Sequence, residues 1–157
     1  SKYNKTTGYK MEIFKYNNIY ILHTIEINTT IRYDVPLLDA IAYGWITQIE
    51  ADLLISNYVV NKEIDRLNRE RAEAVANIII TLSDGVTILN GDETAQNRMN
   101  RAVTGLPDDV ATNMWIGANG DVYMLNKLQF QEAIRLAGEA QTVIWIEYTI
   151  IKSQLVV

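Results

Sequence analysis

The sequence predicts an α+β fold: an N-terminal β-hairpin arm followed by a small helix-and-hairpin domain that closes on a long C-terminal helix. Three observations predict it. Two β-branched or aromatic runs each fold back around a glycine-containing turn, at Asp84-Gly85 and at Asn119-Gly120. Apolar residues recur at four–three spacing over 61–76 and again after Asn126. Ahead of both lies a stretch, Tyr9 to Ile27, that has no helical period and partly alternates apolar with polar residues.

In chain order, the first segment reads as two strands joined by the Lys15-Tyr16-Asn17-Asn18 turn. Asn28-Thr29-Thr30 ends it. Asp34-Val35-Pro36 has the form of a helix start, Asp34 near the cap and Pro36 in the first turn, with Leu37, Leu38, Ile41 and Ala42 as a short apolar face. Gly44 interrupts. Thr47, with Glu50 three residues on, forms a capping box for a second short helix carrying Ile49, Leu53 and Leu54. A longer helix follows from about Asn61 to Ala76, with Asp65/Arg69, Arg66/Glu70 and Arg69/Glu73 spaced to pair on a solvated face. The first hairpin then runs from Ile78 to Leu89. A helix with Ala95, Met99, Ala102 and Val103 on one face ends at Pro107-Asp108-Asp109, and the second hairpin follows from Met114 to Leu125. Asn126 caps the last helix, whose apolar positions run Phe130, Ile134, Ala137, Ile144, Tyr148, Ile151 and Leu155. Residues 143–151 are rich enough in Ile, Val, Trp and Tyr to leave a strand open there as well. The expected core is Ile78, Ile80, Met99, Trp115, Val122 and Phe130. The expected division is an extended docking arm (1–33), a short helical connector (34–61) and an α+β domain (62–157).

Composition removes several classes of function. The 157 residues suit one domain that buries enough surface to need no staple. There is no cysteine, which excludes disulfides, zinc–thiolate sites and cysteine nucleophiles. A net charge of −5 lacks the basic face of a nucleic-acid binder. No apolar run reaches the roughly 18 residues of a membrane span, and Ser1-Lys2-Tyr3-Asn4-Lys5 lacks the apolar core of a signal peptide. The start at Ser1 fits removal of an initiator methionine, and the Ile, Asn, Lys and Tyr content fits an AT-rich genome.

Residues 62–155, about 60% of the chain, carry an ordered set of marks. They are the charged helix Lys62-Glu63-Ile64-Asp65-Arg66-Leu67-Asn68-Arg69-Glu70-Arg71, the Asp84-Gly85 turn, the run Gly91-Asp92-Glu93-Thr94-Ala95-Gln96-Asn97-Arg98-Met99, Trp115, the Asn119-Gly120 turn, and a closing helix opened by Leu125-Asn126. In that order they resemble a small uncharacterised domain family of tailed-phage tail-fibre and tail-associated proteins. The family often has Ser where this chain has Ala95. The resemblance implies a virion context, a tail location after synthesis in the bacterial host cytoplasm, and no enzymatic activity. The first sixty residues lie outside it.

No residue pattern points to catalysis, a cofactor or a metal. His23, the one histidine, sits in an apolar strand and reads as a packed or edge residue. The pairs Asp92-Glu93 and Asp108-Asp109 stand beside helix starts and turns, where carboxylates accept free backbone N–H groups. Asp84, Gly85, Asp92, Asn119, Gly120 and Asn126 are expected as turn and cap residues. Arg98 and Arg101 share a helix face and are expected to lock loop carbonyls or Asp92, the alternative being a face for a partner or glycan. The interface candidates are Ile19, Ile21, Ile25 and Ile27 on the arm, with Trp45 and Trp145. Together these predict a structural virion protein that docks onto other tail proteins and self-associates, as a trimer or else a ring, because tail parts repeat about an axis. The alternatives are a host-surface glycan-binding module at a fibre tip and a fibre-assembly chaperone.

Overall fold

The computed structural model describes residues 2–4, 8–26 and 32–155. It is an α+β protein whose contacts fall into two compact units, residues 1–64 and 65–157. The boundary lies inside one helix. It therefore differs from the expected three-way division, and residues 34–61 are not a separate connector.

In the first unit, β1 (Lys2–Asn4), β2 (Tyr9–Tyr16), β3 (Ile19–Glu26) and β4 (Arg32–Pro36) form an antiparallel sheet in chain order. The β2–β3 turn is two residues long because Tyr16 pairs with Ile19. Asn17 and Asn18 sit at φ 46° and 62°, the left-handed pair that this turn demands and that Asn tolerates. Strand alternation sends Met11, Ile13, Tyr20 and Leu22 to one face. There they pack under Leu37, Ala40, Ile46, Ala51 and Leu54 of the helical segment.

The expected helix start at Asp34 is instead a strand. Asp34 pairs opposite His23, and its carboxylate accepts from His23 Nδ1. Pro36 disfavours a helical Val35, and pairing with β3 satisfies the backbone. Helix α1 (Leu37–Ala42) consequently begins at Pro36 without a side-chain cap, and it ends before Gly44 at φ 75°. Helix α2 (Gln48–Ala76) merges the two helices expected around 47–54 and 61–76. Its capping box is complete: Glu50 N–H donates to Thr47 Oγ1 at 3.2 Å and Thr47 N–H to Glu50 Oε2 at 2.9 Å. Nothing between Ile55 and Asn61 breaks a helix. The buried stripe merely thins there, which makes one helix read as two.

In the second unit, β5 (Ile79–Thr81) and β6 (Ile88–Asn90) form one hairpin, and β7 (Thr112–Ile116) and β8 (Val122–Asn126) another. Helices α3 (Glu93–Gly105) and α4 (Lys127–Ser153) pack with them around Leu89, Met99, Leu125 and Phe130, the largest fully buried side chains of this unit. Residues 143–151 are helical. The Asn126–Gln129 capping box starts α4, and helical spacing from Phe130 onward carries it through the β-branched stretch. Of the expected core, Ile78, Ile80, Met99 and Phe130 are buried and Trp115 packs against Phe130, but Val122 faces outward. The register turns Tyr123 and Leu125 inward and leaves Val122 on the opposite face.

Candidate functional site

The β7–β8 hairpin is apolar on both faces. On the inner face Trp115 pairs with Tyr123, and the Trp115 ring meets Phe130 edge-on at 5.1 Å between centroids. The Tyr123 hydroxyl donates to Val86 O at 3.1 Å and accepts from Asn119 Nδ2 at 3.0 Å, tying the hairpin to the neighbouring β5–β6 turn. Ala118 N–H donates to Ile88 O at 3.0 Å from the other side. The hairpin is thus held from within by packing and at its tip by hydrogen bonds.

The outer face has no such partner among the described residues. Met114 lies opposite Met124, and Ile116 opposite Val122, so four large apolar side chains form two stacked cross-strand pairs. They are 58–64% exposed. Together they present on the order of 400 Å² of apolar surface, the size of the largest patch on a typical monomer and one that is often functional. Sequence reasoning placed this hairpin but missed its outer face, because it assigned Val122 to the core. Apolar residues at consecutive positions of a two-stranded element were the available signal, since such a ribbon cannot bury both faces in its own core.

The expected turn residues have definite places. Gly85 and Gly120 lie at φ 74° and 84°. Asp84 Oδ1 accepts from the N–H groups of Val86 and Thr87, both at 2.9 Å, and Oδ2 from the Thr87 hydroxyl at 2.6 Å. These bonds, the hydroxyl's first, hold Asp84 below the ordinary aspartate range. Asp108 is lowered in the same way, by the N–H groups of Ala111 and then Val110. Asn119 accepts from Asp121 N–H at 3.1 Å and donates to its carboxylate at 2.7 Å.

Two expectations are corrected. Asp92 occupies the N-cap position of α3, yet its side chain makes no capping hydrogen bond. Arg98 and Arg101 do not lock the loops. Both are exposed on α3, and neither has a hydrogen bond or ion pair among the described residues. The lock at this end of α3 is Gln96, which the sequence reading passed over. Its amide donates to Gly91 O at 3.0 Å and to Gln141 Oε1 at 2.8 Å, while Gln141 donates to Glu93 at 2.8 Å. A short amide can satisfy these partners inside the α3–α4 contact, whereas a guanidinium there would lose its hydration.

The tryptophans divide. Trp145 is 44% exposed and lies under the Arg71 guanidinium, 3.9 Å from the ring centroid. It stands on a shallow groove along α4 with Thr142, Ile146 and Thr149. The hydroxyls of Thr142, Thr149 and Ser153 donate back to the carbonyls of Gly138, Trp145 and Ile150 at 2.6–2.8 Å, which turns their methyl or methylene groups outward. Trp45 is exposed on the α1–α2 loop, its ring 5.7 Å from that of Tyr43. Ile19, Ile21 and Ile25 lie on the sheet face opposite α1 and α2, Ile19 exposed and the others half-buried. Ile27 lies outside the described residues. His23 shares that face, paired with Asp34 and 6.4 Å from the Phe14 ring.

Among the described residues, no group of three or more His, Asp or Glu could hold a metal ion, and no helix is long and apolar enough to cross a membrane. No family model, curated protein or solved structure matches the chain.

Proposed function

We propose that this chain is a structural component of a tailed-bacteriophage particle, in the tail, a tail fibre or the baseplate, and that it works by protein–protein docking rather than by catalysis. The observation that carries the reading is the outer face of the β7–β8 hairpin. Four exposed apolar side chains on a backbone fixed by core packing and tip hydrogen bonds form a preorganised surface, and preorganisation lowers the entropic cost of association. The phage context comes from the motif order of residues 62–155 quoted above. On this reading the occupant of the face is a second copy of the same chain. A self-complementary apolar patch suits symmetric assembly, and a face near 400 Å² is about half of what one partner contributes to a stable interface. The remainder would come from surface around it. The chain takes no cofactor on this reading. Its histidine, hydrogen-bonded to Asp34 and packed beside Phe14, serves the sheet.

The test is to place a photo-crosslinking residue at position 124 and to grow the phage whose genome encodes the chain. Purified particles should contain the chain, with crosslinks from 124 to a second copy. Particles lacking it would remove the virion assignment. Crosslinks only to a different protein would replace self-association with docking to that partner.

A further inference from the structure

We propose that an aromatic-walled pocket in the first unit is a binding site for a neutral saccharide ring. The pocket arises from how the sheet is covered. Leu22 and Ile46 close one end of the face beneath the helices. Toward the other end, Met11, Thr24 and Tyr33 lie in one row across β2, β3 and β4, with Tyr9 two residues along from Met11. Trp45, carried on the α1–α2 loop, supplies the remaining wall. The pocket is open on one side and its volume is about 360 Å³, within the range of small-ligand sites.

Three features select the ligand. Three of the lining residues are the aromatics Tyr9, Tyr33 and Trp45, a composition that suits the apolar C–H faces of a pyranose. Among the described residues, the lining carries no charged side chain. The hydroxyls of Tyr9, Thr24 and Tyr33 and the indole N–H of Trp45 have no hydrogen-bond partner among the described residues. A polyol ring meets both needs, stacking on the rings and pairing with the hydroxyls. A quaternary ammonium would use the rings and leave the hydroxyls idle. A proline-rich peptide would stack in the same way and offer the hydroxyls only its carbonyls. The inference does not depend on the docking proposal, since the pocket belongs to the first unit and the hairpin to the second.

The experiment is saturation-transfer NMR on the full chain with methyl glucoside, methyl galactoside and N-acetylglucosamine, and with tetramethylammonium and a proline decapeptide as counter-probes. At least one sugar should bind. Trp45→Ala should weaken it at least tenfold, and Tyr33→Phe, which keeps the ring and removes only the hydroxyl, should weaken it severalfold. Trp145→Phe, in the other unit, should leave it unchanged. Should Trp45→Ala fail to fold, Tyr33→Phe still decides the matter. The proposal is overturned if no sugar binds, if Tyr33→Phe binds with full strength, or if only a counter-probe binds.

Discussion

Gly117 and Gly120 stand three residues apart in one turn and are glycine for different reasons. Gly120 has open space around its missing side chain but sits at φ 84°, so any Cβ is strained. Gly120→Val should cost about 1 kcal/mol or more. Gly117 has no such backbone, but an added Cβ would meet the Tyr123 ring at 2.4 Å and Ile88 O at 2.6 Å. Because one of these is backbone, Gly117→Ala should cost about 1–3 kcal/mol by forcing the hairpin off β6. Urea denaturation of both variants checks these costs. The Asn119-Gly120 pair announced its turn from sequence, whereas the close approach at Gly117 was illegible, because it depends on a strand nearly thirty residues earlier. Asp84 gives a pH prediction. Its hydrogen bonds depress the folded carboxyl below the unfolded value, so their contribution is present above about pH 4 and is lost as pH falls through the folded value. Asp84→Asn keeps an oxygen acceptor and loses the charge. Its melting temperature should lie below that of the parent at neutral pH, and the gap should narrow as the pH is lowered beneath about 4. A gap that stayed constant with pH would show that the charge contributes nothing.

At the scale of elements, the helix–helix contact of α3 and α4 turns on the chain Gln96–Gln141–Glu93. Gln141 broke the apolar spacing of α4 in the sequence, and the structure supplies the reason: it answers a polar partner on α3. Gln141→Leu should leave Gln96 and Glu93 each short of a partner and cost roughly 1–2 kcal/mol, measurable by chemical denaturation. A neutral or stabilising effect would mean that water replaces both bonds. What was legible at this scale followed local chemistry. The capping boxes at Thr47 and Asn126, the two glycine turns and the period of α4 all depend on residues within a few positions of one another. What was not legible depended on pairing. Residues 32–36 resemble a helix start by local signals and become a strand only because β3 offers an edge. The exposure of Val122 follows from register, which the turn sets and composition does not.

For the whole molecule, the two units have separate cores, one around Leu22 and the other around Phe130. The N-terminal strands are therefore structural parts of the first unit. Their removal would uncover Leu37, Ala40, Ile46, Ala51 and Leu54. Leu22→Ala should destabilise that unit by roughly 2–5 kcal/mol. Amide exchange should accelerate across β2, β3 and α1 while protection in β5 to β8 is unchanged. Acceleration in both regions would show that the cores unfold as one. The proposed docking role rests on the outer β7–β8 face, exposed among the described residues, and its direct test is light scattering of the purified chain across a concentration series, beside Met124→Glu. Met124 is more than half exposed, so the substitution should leave near-ultraviolet dichroism and melting unaltered while placing a charge at the centre of the face. The parent chain should self-associate as its concentration rises, and the variant should stay monomeric. A parent that stays monomeric throughout, or a variant that associates as the parent does, would contradict that role.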